Sequence, residues 1–414
     1  MQPDDLNPVT GMVERSQRSE ADGAATFSAE EFEKAFGEGL HRTLDLGTWR
    51  AGSDLAEEYD RMESEVRAAV DAEDSLQERI RSIVFPKLLN REHGPRNAGV
   101  YQARREELET IHRGLLFNGG VEACDGNLHV HGTLPLTIYQ IGVSLVSYQG
   151  NQGTWCQRLY RRELRQSLGD PVEDTLRILE GRASADHGVR LGELVQKTLL
   201  DYAERAILLR RSQAIWLMGH GNPVTYEMLT GGGNAELMEA CLNVARQMVE
   251  GHGKFVFVGS EPRDLHFLTI GNGLRPYEFA IVTSLSDRLE TWLHQRRFNS
   301  NAGSDLVWDG ERVLASEWIP RFIGKVATQV VVGLFRASAI APAQLFYAHV
   351  DHADLAAHIA IADSMLQEQR GSPLLLDLAR HVGEAVFGDS LETLAESAYA
   401  TAGAPWRYRR IRAR

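Results

Sequence analysis

The chain has 414 residues, of which 43% are hydrophobic and 24% charged, enough apolar material for one large domain and an accessory one. Its formal net charge of -13 speaks against wholesale wrapping of nucleic acid, which needs a concentrated basic surface, and leaves a local basic site open. No uncharged apolar run is long enough to span a bilayer, and the opening MQPDDLNPVTGMVERSQRSE lacks a basic start followed by an apolar stretch. The expectation is a cytoplasmic protein with no membrane association. Cys124, Cys156 and Cys241 share no metal-ligand spacing and read as reduced core thiols.

Residues 1–27 are polar and without period, and are expected to be disordered. Residues 28–118 form a helical, charge-rich N-terminal region. Ser28 with Glu31 makes a capping-box pattern ahead of the amphipathic AEEFEKAFGEGLHRTL, and helical stretches follow at 53–71, 75–90 and 98–116. The texture changes at Val121. ACDGNLHVHG, LPLTIYQIGVSLVSY and TWCQRLYRREL, punctuated by Gly126, Gly132, Gly150 and Gly153, predict an antiparallel meander. Helices at 172–181 and 188–211, a strand at 214–219, a helix at 234–250 and a strand at 254–259 follow. Further on, 277–297 reads as helix, 326–336 and 343–350 as strands, and 353–370, 373–387 and 390–400 as helices. The α/β pattern predicts a mixed sheet flanked by helices over 119–414, carrying an N-terminal helical extension. The terminal PWRYRRIRAR has the composition that stacks bases and neutralises phosphates, and serves equally as a solvated tail or a docking peptide.

Asp125 draws attention first, because a carboxylate inside an apolar strand needs a partner or a cation; a simple Asp-Gly turn is the competing reading. Glu204 interrupts an apolar helix face between Leu200 and Leu208, with Asp201 and Glu193 as alternatives; a surface salt bridge to Arg211 would be the plain explanation. His220 stands between two glycines at the tip of the strand AIWLMG, where backbone turns sharply and a ligand can approach. His381 is the candidate among the remaining histidines; His129, His131, His349 and His352 match no zinc spacing. LTGGGNAEL lacks the lysine of a phosphate-cradling loop, and no nucleophile elbow is present.

Taken in order, ACDGN, the acid-bearing helix, AIWLMGHGNP and GSPLLLDLARHVGEA resemble the NurA nucleases over about residues 115–414. The resemblance implies an RNase H-like fold and a dimeric, Mn2+- or Mg2+-dependent nuclease that processes DNA ends with the hexameric ATPase HerA, in DNA repair or anti-phage defence. Carried over by position, Asp125 matches the first-strand metal ligand, Glu204 the helix acid and His381 the late histidine, which could orient water or protonate the leaving oxygen. His220 stands where the family usually has aspartate, so one anion of the metal site becomes an imidazole. Glu227 could compensate, the metal could bind more weakly, or the chain could have become an adaptor subunit that docks on the ATPase and guides DNA.

Overall fold

The computed structural model describes residues 28–49, 56–89, 94–133, 136–162, 171–182, 190–259, 264–295 and 304–404, with Arg91 and Pro262. The disordered segment expected over 1–27 and the basic tail lie outside the described residues. The chain divides into two compact units, Met1–Glu73 and Asp74–Arg414.

In the first unit, α1 (Ala29–Phe36) and α2 (Leu40–Leu44) bury no side chain. The Ser28 capping box is formed in both directions, with the Glu31 amide on Ser28 Oγ and the Ser28 amide on the Glu31 carboxylate. The helix α3 runs Ala56–Arg79, so the expected helices at 53–71 and 75–90 are joined without a gap at 72–74.

The second unit contains, in chain order, α4 (Phe85–Leu89), β1 (Gly99–Gln102), α5 (Arg105–Ile111), β2 (Val121–Thr133), β3 (Leu136–Ser147), β4 (Gly150–Arg162), α6 (Pro171–Leu179), α7 (Arg190–Arg211), β5 (Trp216–His220), α8 (Tyr226–Thr230), α9 (Ala235–Arg246) and β6 (Phe255–Val258). It continues with α10 (Leu265–Gly273), β7 (Glu278–Ser284), α11 (Leu285–Gln295), β8 (Asp305–Trp308), β9 (Glu311–Leu314), α12 (Ala315–Lys325), β10 (Val330–Phe335), β11 (Gln344–His349), α13 (Ala353–Ser364) and α14 (Leu374–Thr401).

Nine strands form one sheet in the order β1-β7-β10-β11-β6-β5-β2-β3-β4. Its functional part is the run β4-β3-β2-β5-β6. The expected meander β2-β3-β4 is antiparallel, α7 returns the chain to β5 on the far side of β2, and β5 and β6 lie parallel to β2 and to each other. This is the RNase H-like arrangement expected from the sequence. The direction of chain progression reverses between β2 and β5, and in open α/β sheets such a switch point leaves a crevice at the carboxyl ends of the strands.

The sheet separates two cores. Cys124, Val143, Leu145, Leu217 and Phe257 face α7 and α9; Ala123, Val146, Met218 and Val256 face α13 and α14. Covered on both faces, β3 is buried along nearly its whole length, so its sequence shows a continuous apolar run rather than alternation.

Several predicted elements are corrected. The 98–116 stretch contains β1 before its helix, and 277–297 begins as β7, which pairs with β1 and β10. Glu278–Thr283 is buried throughout, and a short apolar run buried on both faces has no period that separates strand from helix. The helices expected at 373–387 and 390–400 are one, α14. It continues through Gly388 because Phe387 packs against Gly142 of β3, where a methyl group would lie 2.2 Å from the ring. Cys124 and Cys241 are core thiols; Cys156 is exposed. The α10 helix, the β8-β9 hairpin and α12 had no counterpart in the sequence reading. No described helix is long and apolar enough to cross a membrane.

Candidate active site

Pairing between β2 and β5 stops at Cys124 opposite Gly219, one residue short of Asp125, while β2 continues to Thr133 alongside β3. From Asp125 onward, the edge of β2 that faced β5 is therefore free. Alternation along the strand sends Cys124 toward α7, where its thiol meets the Glu204 carbonyl, and Asp125 toward α14. Asp125 is 2% exposed. Its Oδ2 accepts from Arg380 Nε of α14 at 2.9 Å, and its Oδ1 accepts from the Gly126 amide at 3.0 Å.

Glu204 reaches the same amide from the opposite face of the sheet. Its Oε1 lies 2.6 Å from where a Cβ on Gly126 would stand, and the Gly126 N–H favours its charged form. Burial nevertheless dominates. Aided by the neighbouring Asp125 and Asp201 charges, it pushes the Glu204 carboxyl up to about 8, against the pull of Arg205. Gly126 is thus the contact point between helix acid and strand acid. Its need is for space rather than an unusual backbone angle, since it is not among the positive-φ glycines. Gly126→Ala is expected to displace Glu204 and Leu200 and to destabilise the fold by about 1–3 kcal/mol, measured by thermal unfolding.

Arg205, 2% exposed, organises the α7 side. Its Nη1 donates to Glu204 Oε2 at 2.6 Å and lies 3.3 Å from Asp201 Oδ1; its Nη2 donates to the Asn222 carbonyl at 2.6 Å, in the loop after β5. One guanidinium therefore joins the helix acids to the strand end that bears His220. His220 closes β5 with its ring Nδ1 4.0 Å from Asp125 Oδ1. Burial lowers its proton affinity, opposed by Asp125 and assisted by Arg380 and Arg205, which favours the neutral imidazole.

The structure thus brings Asp125, Glu204 and His220 around one strand end. It places His381 on the exposed surface of α14, with Nδ1 on the Asp377 carbonyl of its own helix. Arg380, one residue earlier, is the α14 side chain that reaches Asp125. Asp201 binds Thr225 and Arg205, the Glu193 side chain lies outside the described residues, and no described contact ties the Glu227 carboxylate to Asp125. Sequence reasoning missed Arg205 and Arg380. The argument that singled out Glu204, a charge interrupting an apolar helix face, applies to Arg205 beside it, whereas nothing local marks Arg380.

Among the described residues, no group of three or more His, Cys, Asp or Glu side chains forms a ready-made metal cage. The donors a divalent cation would find here are carboxylate oxygens and one imidazole nitrogen. Each acid has one oxygen engaged by an arginine, while Asp125 Oδ1 and Glu204 Oε1 both turn toward the Gly126 amide, with the neutral imidazole alongside.

No family model and no curated protein matches the sequence. Among solved structures, the chain is similar to the NurA nuclease from Sulfolobus solfataricus at 10% identity and TM-score 0.44, covering 85% of this chain and 99% of that one. It is also similar to NurA with manganese, at 9% identity and TM-score 0.37, covering 77% and 97%, and to an endonuclease V from Bacillus subtilis, at 9% and 0.29, covering 70% and 95%. The strand order is that of an RNase H-like fold, with Asp125 and Glu204 at its switch point.

Proposed function

We propose that this chain is a NurA-type, metal-dependent DNA nuclease. The observation that carries the reading is the approach of two carboxylates, the buried Asp125 and the half-buried Glu204, from opposite faces of the sheet to Gly126 on the free edge of β2. Asp125 Oδ1, Glu204 Oε1 and His220 would hold the cation, manganese or magnesium. When bound, such an ion lowers the pKa of a bound water and stabilises charge on a scissile phosphate. The chain itself positions the acids. Arg205 fixes the Glu204 rotamer and the loop after β5, and the Gly126 amide orients Asp125. No step is assigned to His381.

Work on DNA ends with a HerA-type hexameric ATPase, a homodimeric state, a cytoplasmic setting and a role in repair or anti-phage defence follow from the motif resemblance and belong to the same proposal. The deciding experiment is cleavage of linear DNA with manganese, with and without a HerA-type ATPase. Degradation in either arm supports the reading, and intact DNA in both overturns it in favour of a DNA-guiding adaptor. One observation favours that second reading: Arg205 and Arg380 already balance the two carboxylates, as expected of a site stable without an ion.

Proton and metal compete for Glu204. Below pH 8 the carboxyl must lose its proton to bind manganese, so apparent affinity is expected to rise about tenfold per pH unit up to pH 8 and then level off, measured by calorimetric titration. The metal-free protein carries a matching signature. A folded-state pKa raised from 4.5 to about 8 means that the native chain holds the extra proton between those values, so stability falls as pH rises through that window. Glu204→Gln is expected to flatten the slope, read from thermal unfolding at pH 5, 6.5 and 8.

A further inference from the structure

Arg380 has an arrangement that the metal-site reading leaves unused. Its side chain is 41% exposed, yet its Nε is bound to a carboxylate that is 3% exposed. The two Nη groups have no hydrogen-bond partner among the described contacts. The acids nearest it on α14 do not occupy them: Asp377 is taken by Arg370 Nη1 at 2.7 Å and by Gln367 Nε2 at 2.8 Å, and Glu384 points from an exposed position. Across the sheet, His220 and the Gly126 amide address Asp125 Oδ1, leaving Oδ2 to Arg380 alone among the described contacts.

Asp125 is therefore a two-sided group. Oδ1 faces the place where the cation would sit, and Oδ2 anchors a guanidinium whose planar fork opens to solvent one carboxylate width away. A guanidinium held by one nitrogen has lost most of its rotamer freedom, and its remaining donors match the spacing of two phosphate oxygens. We propose that Arg380 grips the phosphate of a bound DNA strand, its Nη groups holding non-bridging oxygens beside the cation position, which makes it a catalytic residue of this site. The inference rests on the nuclease reading for its substrate. The rival role is a place-holder: a positive charge that occupies Asp125 until a cation displaces it.

The test uses the full chain with Arg380→Ala and with Arg380→Lys, the latter keeping a cation for the buried Asp125, and circular dichroism checks that each variant is folded. A short labelled DNA oligonucleotide is bound in EDTA over a range of salt, and cleavage is followed with manganese. Arg380→Ala is expected to reduce the slope of log affinity against log salt by about 1, and to lower kcat about a hundredfold at unchanged manganese affinity. Arg380→Lys is expected to restore the salt slope but not kcat, because an ammonium supplies charge without the fork. An unchanged salt slope in Arg380→Ala overturns the proposal, as does tighter manganese binding with undiminished cleavage, the mark of a place-holder. If the unsubstituted chain cleaves nothing, the nuclease reading fails, and the salt slope in EDTA still decides whether Arg380 holds phosphate.

Discussion

Asp125→Asn is expected to abolish manganese binding and to slow DNA cleavage by about a thousandfold or more. The substitution keeps the size of the side chain and an oxygen able to accept from Arg380 or from the Gly126 amide. What it removes is the negative charge, at a position 2% exposed where water cannot replace it. A metal ion's electrostatic contribution to hydrolysis is several kcal/mol, and about 1.4 kcal/mol corresponds to one power of ten in rate. Circular dichroism should be unchanged, since Arg380 is exposed enough to be hydrated once its partner is neutral. Calorimetry with manganese and a gel assay on linear DNA give the answer. Retained cleavage in Asp125→Asn would mean that the chemistry lies elsewhere in the molecule.

The largest effect on stability is expected at Arg205. Arg205→Met retains much of the volume against Phe257, whose ring lies 5.6 Å from the guanidinium carbon, but leaves Glu204 and Asp201 facing each other without their shared cation. It also leaves the Asn222 carbonyl without its donor. Above pH 8, where Glu204 is ionised, breaking this ion pair from one side is expected to cost about 3–5 kcal/mol, because the remaining charge is stranded; at lower pH Glu204 takes up a proton and the cost falls. Urea unfolding of the metal-free protein measures this. Glu204→Gln in the same chain should recover part of the loss, since neutralising the stranded acid relieves its burial; the two substitutions would then be non-additive, as for groups in direct contact. A loss under about 1 kcal/mol in Arg205→Met would show that water reaches these acids and that their burial is not what shifts Glu204.

The two predictions separate roles that proximity alone would merge. Asp125 is expected to govern ion binding with little effect on folding, and Arg205 the reverse. The adaptor reading makes the opposite forecast for Asp125: if the arginines are its permanent partners, Asp125→Asn should lower stability and leave DNA binding with the ATPase intact.

Local chemistry in the sequence was sufficient for the central elements. The β2-β3-β4 meander, α7, β5, α9 and β6 follow from apolar periodicity and glycine punctuation, and a carboxylate in an apolar strand singled out Asp125 as a candidate. The same holds for Glu204, whose position between Leu200 and Leu208 put an acid on a buried face. These features are legible because each depends on residues within a turn or two of one another. Three others are not. β1 and β7 needed partners far away in the chain before an ambiguous apolar run could be read as strand. The role of Gly126 depends on a helix about eighty residues later laying Glu204 across it. The choice of Arg380 over His381 was made by docking. Successive side chains on a helix diverge by about 100°, so when Phe387 and Gly383 of α14 seat against Gly142 and Asn127, Arg380 is turned to the sheet and His381 to solvent. Sequence thus determined which strand and helix carry the acids. The tertiary structure decided which cations answer them, because charge pairing acts through space across a sheet whose two faces are filled by segments distant in the chain.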